Sequence, residues 1–145
     1  MAKNFSELAK KSRNNISTSK VSKDVISNPP LEIFKLGSST LRTNAKRIIK
    51  VDDETRKLAR EMLQSMYAAK GIGLAAPQVG LSKELLVIDI NFEDAAAEPL
   101  ILINPEITAF GTTLNSYEEG CLSIPGVYLN VIRPSTIKLR FRDEM

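Results

Sequence analysis

A single cysteine, Cys121, stands in the run Glu118-Glu119-Gly120-Cys121-Leu122-Ser123-Ile124-Pro125-Gly126, between a glycine and a turn-forming Ser-Ile-Pro-Gly. Cysteine does chemistry as a thiolate, either as nucleophile or as metal ligand; without such a role it packs as a small hydrophobe. A nucleophilic cysteine needs an imidazole to take its proton, and the chain contains no histidine. A cysteine-protease mechanism is therefore excluded. Taken alone, Glu118 and Glu119 read equally well as an ordinary exposed acidic pair.

A second run with chemical potential is Gly71-Ile72-Gly73-Leu74-Ala75-Ala76-Pro77-Gln78-Val79-Gly80. A dinucleotide-binding glycine loop must follow a strand and open a helix. Here the glycines follow a helical pattern and lead into an apolar strand, so that reading fails. Gly73 suits an extended backbone passing close to a ligand, where a side chain would obstruct the approach. A helix stop with a tight small-residue turn accounts for Gly71, Ala75 and Ala76 but leaves Gln78 without a reason.

The elements that position these runs are legible in outline. Asp52, Asp53 and Glu54 place acids at the positive end of a helix dipole, and Leu58, Met62, Met66 and Ala69, widened by Leu63 and Tyr67, recur at helical spacing. A helix is predicted from about Asp52 to Lys70, with Gly71 as the left-handed residue that ends it. Leu85–Ile90 and Leu100–Ile103 are apolar runs of buried-strand type, the latter closed by Asn104-Pro105, with a further strand over Ile107–Phe110. Tyr128–Ile132 and Thr136–Arg142 follow; in the second, Ile137, Leu139 and Phe141 alternate with Lys138, Arg140 and Arg142, the pattern of a half-exposed strand. A sheet with one long helix leaves an apolar face in need of another layer.

The chain has 145 residues, 43% apolar and 26% charged, with a formal net charge of +3. These values suit one modest globular domain. Lysine and arginine crowd residues 1–28, read as a basic, disordered leader that closes at Asn28-Pro29-Pro30; residues 29–145 form the folded domain. Clustered lysines attract phosphate-rich surfaces such as the ribosome without reading sequence, although a solvated leader is the plainer account. No run is long and apolar enough for a membrane span, and no apolar stretch follows the basic start as in a secretory signal. One cysteine fits a reducing compartment, and the expected location is the bacterial cytoplasm, with a plastid less favoured.

Together the two runs resemble the peptide deformylase family: its GxGxAAxQ pattern matches at Gly71, Gly73, Ala75, Ala76 and Gln78, and EGCLS matches Glu119 to Ser123 about forty residues later. The Tyr-Glu-Glu-Gly-Cys start and the Pro-Gly that follows look most like the plastid and cyanobacterial branch. The resemblance implies an α+β fold of antiparallel sheets around a long helix. It also implies a hydrolase that removes the formyl group from the formylmethionine of new polypeptides, using one divalent ion, Fe²⁺ or its substitutes Ni²⁺ and Zn²⁺. By that resemblance Cys121 is a metal ligand, and Gln78 and the backbone N–H of Leu122 are donors to the developing oxyanion. Gly71, Ile72, Gly73, Tyr117 and Glu119 contact or support the substrate, with Glu119 acting through hydrogen bonds. The implied partners are N-formylmethionyl peptides of nascent chains, with ribosome contact through the leader and neither sequence-specific nucleic acid nor membrane.

The departure lies in the family's third motif, HExxH, which supplies two more ligands and the general base. Nothing in these residues matches it. The chain is therefore expected to be cut before that motif and inactive alone. The alternative from another class is a non-catalytic remnant that keeps the peptide groove or a ribosome-binding tail; a decayed or misread gene whose exposed strands aggregate is a third.

Overall fold

In the computed structural model, residues 21–145 are described. Most of the basic leader, residues 1–20, lies outside them. The order of elements is helix α1 (Asp53–Ala68), then strands β1 (Gly73–Ala75), β2 (Leu85–Ile88), β3 (Leu100–Phe110), β4 (Leu114–Cys121), β5 (Ile124–Pro134) and β6 (Ile137–Arg142). Single 3-10 turns occupy Ser39–Arg42 and Ala76–Val79.

Helix α1 begins where its acids predict. The Asp52 carboxylate accepts from the backbone N–H of Thr55 at 3.0 Å and from its hydroxyl at 3.0 Å, satisfying an N–H that no helix carbonyl can reach. Those same hydrogen bonds hold the Asp52 carboxyl below its ordinary value. Leu58, Ala59, Met62, Leu63, Met66 and Tyr67 are buried, and each fully buried large apolar side chain contributes about 1.5–3 kcal/mol of transfer free energy. Ala69, expected on that face, is exposed because the helix has already ended.

The stop itself differs from expectation. Lys70, not Gly71, takes the left-handed conformation, at φ 56°. Its N–H donates to the Tyr67 carbonyl at 2.9 Å, and the Gly71 N–H donates to Met66 at 2.9 Å. This pair of bonds is the Schellman closure, and it puts Gly71 one residue beyond the position where glycine's freedom is used.

Strands β1, β2, β3 and β6 form one antiparallel sheet in that order. Helix α1 packs across β1 and β2, enclosing a core of Leu58, Met62, Leu63, Met66, Leu74, Leu85, Val87 and Ile103. Asn104-Pro105 does not close a strand. Asn104 adopts φ 52° and its side-chain amide bonds both the N–H and the carbonyl of Ile48, each at 2.8 Å. The β3–β6 register shifts between Ile103 and Glu106, so the chain passes through a bulge and continues as one strand to Phe110.

Among the described residues, strands β4 and β5 pair only with each other. Leu114, Tyr117, Tyr128, Leu129 and Ile132 on this hairpin are all more than half exposed. Strand β4 was not legible in advance. Asn115, Ser116, Glu118 and Glu119 give it no apolar alternation, and it forms through the ladder to β5.

Candidate active site

Gly71 to Gly80 is built by three successive elements. After the helix closure, β1 pairs with β2 through Gly73↔Ile88, Leu74↔Val87 and Ala75↔Leu86. Among the described residues it is the outermost strand of its sheet, with its other edge unpaired in that sheet. Leu74 is buried, so the flanking Gly73 and Ala75 share the opposite face. The 3-10 turn Ala76–Val79 then lifts Gln78, and Gly80 ends the turn at φ 83°.

The other run lies at the tip of the β4–β5 hairpin. Cys121 pairs with Ile124 across the two residues Leu122 and Ser123, while Gly120 already pairs with Tyr128. The tight turn is therefore Leu122-Ser123, and the expected Ser-Ile-Pro-Gly turn is instead the start of β5, with Gly126 at φ 76°. Pro125, Gly126 and Val127 are the extra residues bulged out of the ladder. This geometry carries Cys121 and Leu122 to the hairpin's extremity.

Three contacts join the two runs. The Nε2 of Gln78 donates to Ser123 Oγ at 3.1 Å and lies 3.7 Å from Cys121 Sγ. The Leu122 side chain lies on Gly71: a Cβ there would stand 2.5 Å from Leu122 Cδ1. The backbone of residues 34–36 reaches both, with Phe34 N–H donating to the Gln78 carbonyl at 2.7 Å and Leu36 N–H to the Ser123 carbonyl at 2.8 Å. A side chain at Gly71 would thus displace the Leu122 side chain from its present position. At Gly73, by contrast, a Cβ would meet only the Val87 carbonyl oxygen among the described residues, at an ordinary 3.7 Å, so packing among them gives no reason for glycine there.

Glu119 is held by Arg133 across the hairpin through two guanidinium nitrogens, Nε donating to one carboxylate oxygen and Nη2 to the other at 2.7 Å. The Arg133 hydrogen bond keeps the Glu119 carboxyl below its ordinary value and raises the guanidinium in turn. Ile72 is 55% exposed beside β1, and Tyr117 is 54% exposed on β4, its hydroxyl accepting from the Asn115 side chain at 3.2 Å. The structure thus brings Gln78, Cys121, Leu122 and Gly71 together. It leaves Ile72 and Tyr117 open to solvent.

A buried charge lies beneath β1. Asp89, 3% exposed, accepts from Tyr67 Oη at 2.7 Å and from Lys23 Nζ at 2.8 Å, and its own N–H donates to the Ile72 carbonyl at 2.9 Å. Burial, that hydrogen bond and the carboxylate's charge push the Tyr67 phenol well above its ordinary value, so it remains a donor. Lys23 also donates to the carbonyls of Asn91 and Asp94, at 3.1 and 2.8 Å. The last residues of the basic leader are therefore tied to the domain. Asp89 interrupts an apolar strand run, and that was the only signal of it in the sequence.

As a metal site the donor set is incomplete. Cys121 offers one thiolate, the Gln78 amide nitrogen beside it is a donor and not a metal ligand, and Glu119 is committed to Arg133. Among the described residues no three His, Cys, Asp or Glu side chains gather as a metal ion needs. These residues do not by themselves hold the ion.

The family model for polypeptide deformylase matches residues 30–145. The chain is 83% identical, over all of its 145 residues, to the peptide deformylase of Prochlorococcus marinus strain MIT 9515, covering 71% of that protein. Its fold is similar to the crystal structure of a peptide deformylase from Synechococcus elongatus in complex with actinonin. There the TM-score is 0.86 at 51% identity, covering 88% of this chain and 70% of that one. It is also similar to the peptide deformylase of Thermotoga maritima, with a TM-score of 0.72 at 35% identity, covering 79% and 74%. These matches put the chain among hydrolases that cleave a linear amide bond. It belongs to the peptide deformylase family, metal-dependent enzymes that remove the formyl group from the N-terminal methionine of new polypeptides. Among the described residues no helix is long and apolar enough to cross a membrane.

Proposed function

We propose that these residues form the oxyanion and peptide-binding side of a deformylase site and contribute one metal ligand to it. The observation that carries this reading is the Gln78 side chain, whose NH₂ lies 3.7 Å from Cys121 Sγ on the hairpin tip. An amide donor fixed beside a ligand position can stabilise the charge that develops on a formyl oxygen, an effect worth about 3 kcal/mol per donor in the transition state. The Leu122 backbone N–H, engaged by no hydrogen bond among the described residues, is the second donor. The substrate peptide lies extended along the open edge of β1, adding a strand past Ile72 and Gly73; a glycine that packing among the described residues does not require supports this placement. Glu119 holds the hairpin through Arg133, and Tyr117 borders the methionine side chain.

Cys121 would be a thiolate ligand to Fe²⁺, with Ni²⁺ or Zn²⁺ as substitutes. When bound, the ion supplies Lewis acidity and lowers the pKa of a water molecule. With no histidine in its 145 residues, the chain alone is expected to bind formyl peptide and turn it over little. Cytoplasmic work on nascent chains, with the lysines that precede Lys23 supplying an attraction to the ribosome, completes the reading.

The test titrates formyl-Met-Ala-Ser into the ¹⁵N-labelled chain and measures formate release with Fe²⁺ or Ni²⁺ in the absence of oxygen. Backbone shifts confined to Gly71–Ala75, Gln78 and Cys121–Leu122 are expected, with negligible formate. Shifts elsewhere, or none, refute the site. Enzyme-like release that vanishes in Cys121→Ala refutes the incomplete donor set.

A further inference from the structure

Gln78 is the residue on which the oxyanion reading rests, and its terminal amide is held at both ends. The Oε1 end accepts from the Ala75 backbone N–H at 2.9 Å. Because a backbone N–H can pair only with the amide oxygen, this bond decides which end is oxygen and which is NH₂. The NH₂ then has two neighbours, Ser123 Oγ at 3.1 Å and Cys121 Sγ at 3.7 Å.

Ser123 is 3% exposed. A buried hydroxyl without a partner costs free energy, so one so enclosed is expected to be hydrogen-bonded. Its backbone is held independently of its side chain, since its carbonyl accepts from Leu36 N–H at 2.8 Å while Phe34 N–H holds the Gln78 carbonyl at 2.7 Å. Donors two residues apart on one segment thus set the spacing of the two main chains. The spacing of the two main chains therefore does not rest on the Gln78–Ser123 side-chain bond alone. What that bond sets is the direction of the amide.

We infer that Ser123 is a positioning residue for Gln78: its hydroxyl takes one amide proton and leaves the other aimed at the space beside Cys121. This rests on the oxyanion reading of Gln78. With one proton engaged and the oxygen tied to Ala75, rotation of the amide plane would break both bonds at once. The donor therefore stands in its working orientation before substrate arrives, which is the condition for a hydrogen-bond donor to lower a barrier without reorganising. Ser123 touches no reacting atom and acts only through Gln78.

The test follows the Gln78 side-chain NH₂ signals in the ¹⁵N-labelled full chain, assigned by their loss in Gln78→Glu. In the unaltered chain the amide is expected to be rigid on the ps–ns timescale; a freely mobile amide overturns the inference without any mutant having to fold. In Ser123→Ala the two proton shifts are expected to converge toward those of an exposed glutamine. Side-chain exchange should quicken about fivefold, the factor attached to one neutral hydrogen bond. Ser123→Thr, which keeps the hydroxyl, should restore both. A folded Ser123→Ala whose Gln78 signals match the unaltered chain overturns the proposal, as does a folded Ser123→Thr that fails to restore them. If the amide is rigid and Ser123-dependent but formyl-Met-Ala-Ser causes no shift at Gln78, the oxyanion reading fails while the positioning stands.

Discussion

Replacing Lys23 by methionine tests the buried charge beneath β1. The ammonium lies 2.8 Å from Asp89 Oδ2, with side chains 10% and 2% exposed. Removing one partner of such a pair leaves an uncompensated buried charge and costs about 3–5 kcal/mol. Two features reduce that figure. Asp89 keeps the Tyr67 hydroxyl at 2.7 Å and the Asn91 N–H at 2.9 Å, and the residual exposure of Lys23 gives water a path to the vacated position. A loss of about 2–3 kcal/mol follows. At about 3 °C per kcal/mol for a domain of this length, Tm should fall by about 6–9 °C. Circular dichroism during a thermal scan of Lys23→Met reads this directly. In Lys23→Met/Asp89→Asn the neutral amide needs no counter-charge, so the double variant should lose at least about 1 kcal/mol less than the two single losses added together. A Lys23→Met melt unchanged within about 1 °C, or strictly additive singles, would refute the claim that the ion pair holds the start of the domain.

Lys70 adopts φ 56° at the end of α1, a conformation that costs an L-residue about 1 kcal/mol relative to glycine. Lys70→Gly should therefore stabilise the chain by about that amount in urea titration, and a lower midpoint would contradict the assignment. Acidification should act through the hairpin pair. Because the Arg133 hydrogen bond lowers the Glu119 carboxyl beneath its ordinary 4.5, its contribution is present above that value and is lost as pH falls through the lowered one. Glu119→Gln should consequently lose less Tm than the unaltered chain between pH 6 and pH 3; equal losses would show that the pair does not stabilise the hairpin.

Much of the helix was legible because its causes are local. Asp52 caps through a residue three positions away, and the buried stripe from Leu58 to Tyr67 follows from helical period alone. The core strands were legible as apolar runs, β2 and the first half of β3. Where the reading stopped short, a distant partner decided the outcome. Asn104-Pro105 looks like a strand end until the Ile48 backbone, 56 positions earlier, satisfies the asparagine amide and lets β3 continue. Strand β4 has polar side chains where a buried strand would alternate, and only its ladder to β5 makes it a strand.

The candidate site divides in the same way. Its residue types, the glycines, Gln78 and the single Cys121, were set out by the sequence, and the missing histidines followed from composition. Local chemistry could not say that Gln78 would meet Ser123, 45 positions on, or that the Leu122 side chain would lie on Gly71. Nor could it say that Lys23, in a run of leader-like lysines, would be the counter-ion of Asp89. Caps, helical faces and apolar runs are determined within a few residues, where the chain's own geometry limits the choices. A side chain's hydrogen-bond partner across the fold is chosen by packing, because only the assembled layers bring those atoms within hydrogen-bond distance and exclude the water that would otherwise take their place.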